Sequence, residues 1–291
     1  MIGIIRGIMS DRPAMTPAVA NEYFVFRKRL PLQLAFEAVS REIGRVDPDH
    51  VCLEIGALNP VLSYRLRKLG GQWHTVLLNE SEQPAFQELL GGNVYVSKDG
   101  KLPFKKKIFD RVVIWDVLDT FRDEEAFIED VHGLLRPDGQ LIIHVNRLKR
   151  GSLINTLRDL LGFSPEETGR FRAGYTESDL FRVLKHGFDV HAMRSYSRFL
   201  VEFVDVWVRF AVRRQGGEGP VSEGSVARIQ RVYRLAAFFY WLAYQVDVFL
   251  FFNKGFRLVA SAKRRAWRPR NAPILVDGRS ISEAVLSRAE D

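Results

Sequence analysis

The stretch Val51-Cys-Leu-Glu-Ile-Gly-Ala-Leu-Asn-Pro60 joins a short apolar run to a glycine turn. The apolar run predicts a buried strand, and Gly56 allows the turn that follows it. Beyond the proline, leucines recur at helical spacing until Gly70-Gly71 ends the pattern. A strand, a glycine turn and a helix N-terminus make the usual site for a nucleoside-bearing ligand at the edge of an α/β sheet.

Outward from this corner, short apolar runs alternate regularly with helical stretches. Four more runs predict strands, with helices predicted at 83–90 and about 123–135 and a turn at Pro137-Asp138-Gly139. The four are Thr75–Leu78, Val94–Val96, Phe109–Trp115 and Leu141–Val145. Continuous apolar strands separated by helices predict a doubly wound, mostly parallel sheet covered on both faces.

Composition and charge narrow the class of protein. Cys52 is the single cysteine, so the 291 residues can form no internal disulfide, which favours a reducing compartment and a cytoplasmic location. The apolar start at 1–9 is broken by glycines and an arginine and does not predict a secretory signal. The net charge is +8, and residues 193–270 hold 15 Lys and Arg against five acids, so the positive charge belongs to the C-terminal third.

Several short motifs follow one another in a fixed order. They are Glu54-x-Gly56, Leu102-Pro103-Phe104, Phe109-Asp110, Asp116-Val117-Leu118-Asp119, Leu134–Leu141 and Tyr175–Leu180. This set resembles the class I S-adenosylmethionine-dependent methyltransferases, in particular the group called methyltransferase type 11. The resemblance covers about 48–197 and 255–265. It implies a seven-stranded Rossmann-like sheet, with a sixth strand at 187–190, an antiparallel seventh at 255–263, and S-adenosylmethionine as the cofactor.

The resemblance also implies roles for single residues. The cofactor would lie against Glu54, Gly56 and Ala57 at its methionine part, Glu80 or Asn79 at the ribose, Asp99 and Leu102 at the adenine, and Asp116 at the transferred methyl group. The chain departs from the family where relatives carry further glycines, at Leu58 and Pro60. These departures leave open a non-catalytic relative that keeps the fold as a binding or scaffold protein. The missing glycines count against a nicotinamide-dependent enzyme.

Methyl transfer to a hydroxyl requires a base within hydrogen-bonding reach. The candidate catalytic residues are Asp116, His144 and Tyr175, while Asn146 and Tyr175 are candidates for substrate contact. His144 lies in mid-strand among apolar neighbours, which favours a buried structural histidine over a catalytic one. The sequence has no metal-ligand spacing, and we expect no metal site.

An aromatic and basic insertion separates the last two predicted strands. Residues 198–214 are amphipathic, and 235–252 are apolar apart from Gln245 and Asp247. A central acid disfavours a transmembrane helix. A core lid over the substrate, a peripheral site on an anionic membrane surface and a dimer interface all remain open. Nucleic acid is disfavoured because the aromatics are not interleaved with charges.

We therefore divide the chain into a helical lead-in at 1–47, a methyltransferase-like domain at 48–197 and 255–265, an insertion at 198–254 and a tail at 266–291. The expected activity is methyl transfer to a small-molecule or lipid-linked acceptor near a membrane. We expect a cytoplasmic protein, with membrane association left open, and the sequence does not indicate the oligomeric state.

Overall fold

A computed structural model describes residues 16–98, 100–104, 107–149, 151–216, 223–249 and 254–267. The predicted adenine contact Asp99 and most of the predicted tail lie outside these residues, as does the start of the helical lead-in. The first helices of the lead-in are α1 (Pro17–Lys28) and α2 (Leu30–Ile43).

Seven strands form one sheet in the order β3-β2-β1-β4-β5-β7-β6. The strands are β1 (Val51–Ile55), β2 (Gln72–Leu77), β3 (Val94–Val96), β4 (Phe109–Trp115), β5 (Leu135–Asn146), β6 (Phe188–Tyr196) and β7 (Arg257–Arg264). The first five pair in parallel, whereas β7 runs antiparallel between β5 and β6. The predicted doubly wound architecture with an antiparallel seventh strand is confirmed.

The remaining helices connect the strands and form the insertion. They are α3 (Pro60–Arg67), α4 (Gln83–Leu90), α5 (Glu124–Leu134), α6 (Leu153–Leu160), α7 (Glu177–Leu184), α8 (Phe199–Arg214) and α9 (Glu223–Phe249). One face of the sheet packs against α2 and α3, and the other packs against α5 and α7. The start of α7 is a capping box between Thr176 and Asp179.

The structure differs from the predicted elements at β5. The strand begins at Leu135, not Leu141, and includes the predicted turn at 137–139. Its pairing with β4 shifts register between Phe109 and Arg111, and Asp138 adopts a left-handed φ of 60°. The turn residues are therefore absorbed as an irregularity within the strand, because the chain resumes pairing on both sides of them.

The strand directions decide which residues meet at the edge of the sheet where the parallel strands end. The parallel strands β1, β4 and β5 all end there, and β7 begins there because it is antiparallel. The register places Asn146 of β5 and Tyr196 of β6 on either side of Arg257. Three polar side chains from distant parts of the sequence thus stand in one row across the sheet.

Candidate active site

A cavity of about 650 Å³ lies at the edge of the sheet where β4 and β5 end. It is bounded by α2 and its preceding arginine, by α6 and the segment that follows it, by α8 and by the first residue of β7. The polar residues of its wall include Arg29, Asp116, His144, Asn146, Arg158, Arg170, Tyr196, Arg209 and Arg257. The predicted residues Asp116, His144 and Asn146 are therefore brought together here.

Asp116, His144 and Tyr196 form a chain of polar contacts in this cavity. Oδ1 of Asp116 lies 3.0 Å from Nδ1 of His144, and Nε2 of His144 is hydrogen-bonded to the hydroxyl of Tyr196. Burial alone would raise the pKa of Asp116, but His144 and Arg257 hold it well below its ordinary value. The anionic carboxylate favours the proton on Nδ1, which leaves Nε2 to accept from the tyrosine.

Arg257 holds this chain in place from β7. One terminal nitrogen donates to Asp116 Oδ2 at 3.0 Å and to Asn146 Oδ1 at 2.7 Å, while Nε donates to Glu202 Oε1 at 3.1 Å. Burial would lower the pKa of Arg257, but Glu202 and Asp116 raise it above its ordinary value. The guanidinium is a fixed positive charge between two buried carboxylates.

Glu54 lies away from the cavity. Its carboxylate is fully buried and accepts from Ser63 at 2.9 Å, Thr75 at 3.1 Å and Trp115 at 2.9 Å. Alternation along β1 explains this placement, because Leu53 and Ile55 join the core beneath α5 while position 54 points to the α3 face. The predicted contact of Glu54 with the cofactor would need this network to open.

The first loop is organised by contacts within the chain. Gly56 has a left-handed φ of 72°, and a Cβ there would lie 2.0 Å from Cγ1 of Val117, so packing as well as the turn requires glycine. Ala57 packs in the small core formed with α4. Asn59 caps α3 by accepting from the amides of residues 61 and 62, at 2.9 and 3.3 Å, so these amides are already satisfied.

The end of β2 presents the predicted ribose-binding residues. Asn79 accepts from the amide of Ser81 at 3.1 Å and caps a short 3₁₀ turn at Glu80–Glu82. Glu80 is exposed, and its carboxylate makes no hydrogen bond or salt bridge within the described ranges. Leu102 is half-buried and packs against the core on the α5 face.

Tyr175 does not line the cavity. Its side chain is fully buried in the core on the α5 and α7 face, and its hydroxyl donates to Glu124. Burial and this hydrogen bond raise the pKa of the tyrosine well above its ordinary value. A bridge between Arg147 and Tyr175 directs the backbone to that face, so the structure places this candidate apart from His144.

Sequence reasoning missed Tyr196 and Arg257. Both lie at strand ends, which is a signal for ligand contact, but their partners are decided by pairing between β5, β7 and β6. The whole insertion separates β6 from β7 in the sequence, so no local pattern could fix this register.

Comparisons with known proteins agree with this fold. The family model described as "Methyltransferase domain" matches residues 53–143. That segment contains β2 to β4, α3 to α5 and most of β1 and β5. Over these residues the chain is similar to a methyltransferase domain. No curated protein matches the sequence.

Solved structures share the fold around this methyltransferase domain. Phosphoethanolamine N-methyltransferase 2 of Haemonchus contortus, solved with S-adenosyl-L-methionine, has 12% identity and a TM-score of 0.53, with 87% of this chain and 57% of that chain covered. A protein of Galdieria sulphuraria provisionally described as a sarcosine dimethylglycine methyltransferase has 13% identity and a TM-score of 0.53, covering 86% and 100%.

The [4+2]-cyclase SpnF also has a TM-score of 0.53, at 13% identity, with 81% of each chain covered. At these identities the likeness shows the fold, which serves more than one reaction. The predicted class I methyltransferase fold is thus confirmed, and S-adenosylmethionine is the cofactor of this family.

The residues that follow β2, at the edge of the sheet, fit the ribose of that cofactor. Glu80 offers an unpaired carboxylate at the end of β2, and a carboxylate can accept from two neighbouring hydroxyls. Leu58 is 36% exposed and lines the cavity, so the first loop opens onto it. When bound, S-adenosylmethionine would supply a methyl group on a positively charged sulfur.

Proposed function

We propose that this chain transfers a methyl group from S-adenosylmethionine to an oxygen or nitrogen nucleophile held in the cavity. The observation that supports the proposal is the Asp116–His144–Tyr196 chain at the edge of a methyltransferase domain. A displacement of this kind depends mainly on positioning, and a protein base raises the reactivity of a weak nucleophile.

The proton of the acceptor has a path through these side chains. Burial raises the pKa of Tyr196 well above its ordinary value, so the phenol stays protonated and donates to Nε2 of His144. Its oxygen retains lone pairs that can accept from an acceptor O–H or N–H. As that proton reaches Tyr196, the phenol proton moves to Nε2, and Asp116 stabilises the imidazolium that forms.

Binding of the product analogue S-adenosylhomocysteine tests the cofactor site. We expect micromolar binding by calorimetry, and Glu80→Gln should weaken it about tenfold because hydrogen bonds to the charged carboxylate are lost. Glu82→Gln is the matched control, since it removes the same charge from the same short turn.

Binding that Glu82→Gln weakens as much as Glu80→Gln would contradict the assigned ribose contact. No heat at millimolar S-adenosylhomocysteine would contradict the enzymatic proposal and favour the scaffold alternative.

We further propose that the acceptor is presented at an anionic membrane surface. The proposal is supported by the outer face of α9, where eight apolar side chains are between 43% and 77% exposed. This apolar face consists of Leu235, Phe238, Phe239, Trp241, Leu242, Val246, Val248 and Phe249. Exposed Arg231 and Arg234 precede it on the same helix, which suits a surface of anionic lipid.

The helix α8 connects this apolar face with the cavity. Phe203 and Trp207 of α8 are 40% and 44% exposed, while Arg209 of the same helix lines the cavity. None of the helices in the described ranges combines the length and hydropathy needed to cross a bilayer. The proposed contact is therefore with one leaflet.

Sedimentation with lipid vesicles tests the membrane contact. Phosphatidylcholine vesicles containing phosphatidylglycerol should pellet the protein at low salt, and high salt should reduce this because exposed charges are screened. The variant Phe238→Ser/Trp241→Ser should stay in the supernatant. Phe181→Ser, at a 53% exposed aromatic residue on α7, is the control and should pellet normally.

Protein that remains soluble with anionic vesicles at low salt would contradict the membrane contact. A stable dimer in solution, with no vesicle binding, would assign the apolar face to a second copy of the chain.

A further inference from the structure

Five arginines from separate parts of the chain converge on the cavity. They are Arg29 between α1 and α2, Arg158 of α6, Arg170 from the segment before α7, Arg209 of α8 and Arg257 of β7. Arginines cluster in this way where they neutralise buried acids or bind an anion, so their partners decide which applies.

Four of the five are matched by carboxylates. The nitrogen-to-oxygen distances are 2.9 Å for Arg29–Asp205, 2.6 Å for Arg158–Glu202, 2.5 Å for Arg170–Asp119 and 3.0 Å for Arg257–Asp116. Arg158, Arg257 and Glu202 share one network, because Glu202 accepts from both arginines. The four arginines and the four carboxylates therefore neutralise one another.

Arg209 is the fifth positive charge, and it has no such match. Within the described ranges its guanidinium makes no hydrogen bond or salt bridge, and it lies 4.6 Å from the centre of the Phe163 ring. Burial and the repulsion from Arg29 lower the pKa of Arg209 to about 10, so it remains protonated at neutral pH. Asp205 attracts Arg209, but its carboxylate is already paired with Arg29 and does not contact the Arg209 guanidinium. One positive charge in this partly buried wall is therefore left without a paired anion, which is unfavourable.

A second donor in the same wall is also unsatisfied. Nε of Arg158 is buried and makes no hydrogen bond to any described residue. The remaining acids of the lining, Asp159 and Glu166, are exposed residues and do not pair with Arg209. The inner wall therefore offers guanidinium donors on α6 and α8 to a ligand that enters the cavity.

The arrangement favours a tetrahedral oxyanion over a carboxylate. A planar carboxylate is satisfied by one arginine in a bidentate pair, whereas a phosphate group presents several oxygens to donors that approach from different elements. We propose that Arg209, together with Arg158, binds a phosphate group of the methyl acceptor. The assignment of this phosphate group to the methyl acceptor rests on the proposed methyl transfer.

Calorimetry of the full chain with inorganic phosphate tests the site. The wild type should bind phosphate, and R209Q should bind it at least tenfold more weakly, with R209K recovering part of the affinity. R214Q is the matched control, because Arg214 is exposed on the same helix and packs over Phe210. It should remain within about twofold of the wild type, since only a distant, screened charge is lost.

Thermal unfolding separates ligand binding from a structural role. R209Q should be as stable as the wild type or more stable, because an unmatched charge is removed. A large loss of stability in both R209Q and R209K, without a specific loss of phosphate binding, would overturn the proposal. Dihexanoyl phosphatidic acid distinguishes the source of the phosphate: tighter binding than inorganic phosphate assigns it to a lipid headgroup, and weaker binding assigns it to a soluble ester.

Two further outcomes would overturn the proposal. Phosphate binding that R209Q leaves unchanged would place the anion elsewhere. Displacement of phosphate by S-adenosylhomocysteine would assign the arginines to the carboxylate of the cofactor. Binding of S-adenosylhomocysteine without any binding of phosphate would contradict the proposed phosphate site but would leave the proposed methyltransferase function intact. Phosphate binding without S-adenosylhomocysteine binding would support the anion site and contradict methyl transfer.

Discussion

Buried charged side chains hold the residues of the candidate active site in place. Asp116 stands in a left-handed backbone conformation at φ 44°, directly after β4, which turns its carboxylate toward His144 and Arg257. A strained backbone persists where surrounding contacts fix it. The two partners supply that fixation, and they lie on strands that reach the edge from opposite directions.

Glu22 is a half-buried acid, and it lacks a cationic partner at contact distance among the described residues. Burial and the neighbouring Glu82 raise its pKa from 4.5 to about 7, while its carboxylate accepts from Asn59 at 2.6 Å. The folded state thus holds a proton that the unfolded chain releases between these two values. Stability arising from this proton is present at low pH and is lost as the pH rises to about 7 and above.

Glu22→Gln should therefore raise stability above pH 7 by about 1–3 kcal/mol and change it little near pH 4.5. The amide oxygen of the glutamine can still accept from Asn59. Urea unfolding at both pH values measures the difference. Glu129→Gln, at an exposed residue of α5, should have no comparable effect, and an equal gain at both pH values would show that the charge is not the cause.

At the scale of elements, α8 depends on α9 for its first turn. Arg198, at the N-cap position of α8, makes no side-chain cap, and Asp247 of α9 instead accepts from the amides of Leu200 and Val201 at 3.0 and 2.9 Å. A carboxylate at a helix N-terminus satisfies free amides and complements the helix dipole. The acid that disfavours a membrane span in the sequence has this structural role.

Asp247→Ala should destabilise the protein by about 1–3 kcal/mol, because two buried amides lose their acceptor. Urea unfolding measures the loss, and Asp130→Ala on the exposed face of α5 provides the control. A change in Asp247→Ala no larger than in the control would show that water replaces the cap.

Strands and helices that are marked by a local sequence pattern were predictable, but the residues that they contact in the folded chain were less so. The bounds of β1, β3 and β4 match the apolar runs. Most residues of β1 and β4 are buried, which explains their continuous apolar sequences. Tyr175 shows the limit of the approach. Its motif marks the start of α7 correctly, but only the bridge to Arg147 decides that the ring enters the core on the opposite face from His144.

In the whole molecule, the excess of positive charge in the C-terminal third forms two separate groups of arginines. Arg209 and Arg257 face the cavity from the insertion and from β7, whereas Arg231 and Arg234 are exposed beside the apolar face of α9. The sequence located the excess of positive charge but could not separate these groups, since helical spacing alone does not say which neighbour covers each face. The inner face of α9 packs on α8.

The position of β7 has a consequence for how the protein is made. This strand lies between β5 and β6, yet the ribosome completes it only after residue 264, when the rest of the sheet has already been synthesised. A nascent chain that lacks β7 leaves β5 and β6 without their shared neighbour and leaves Asp116 and Glu202 without the cation between them. Domains that close by a late, long-range pairing fold slowly and expose unpaired edges meanwhile. Translational arrest before residue 257 should therefore yield a species that chaperones retain and proteases cut.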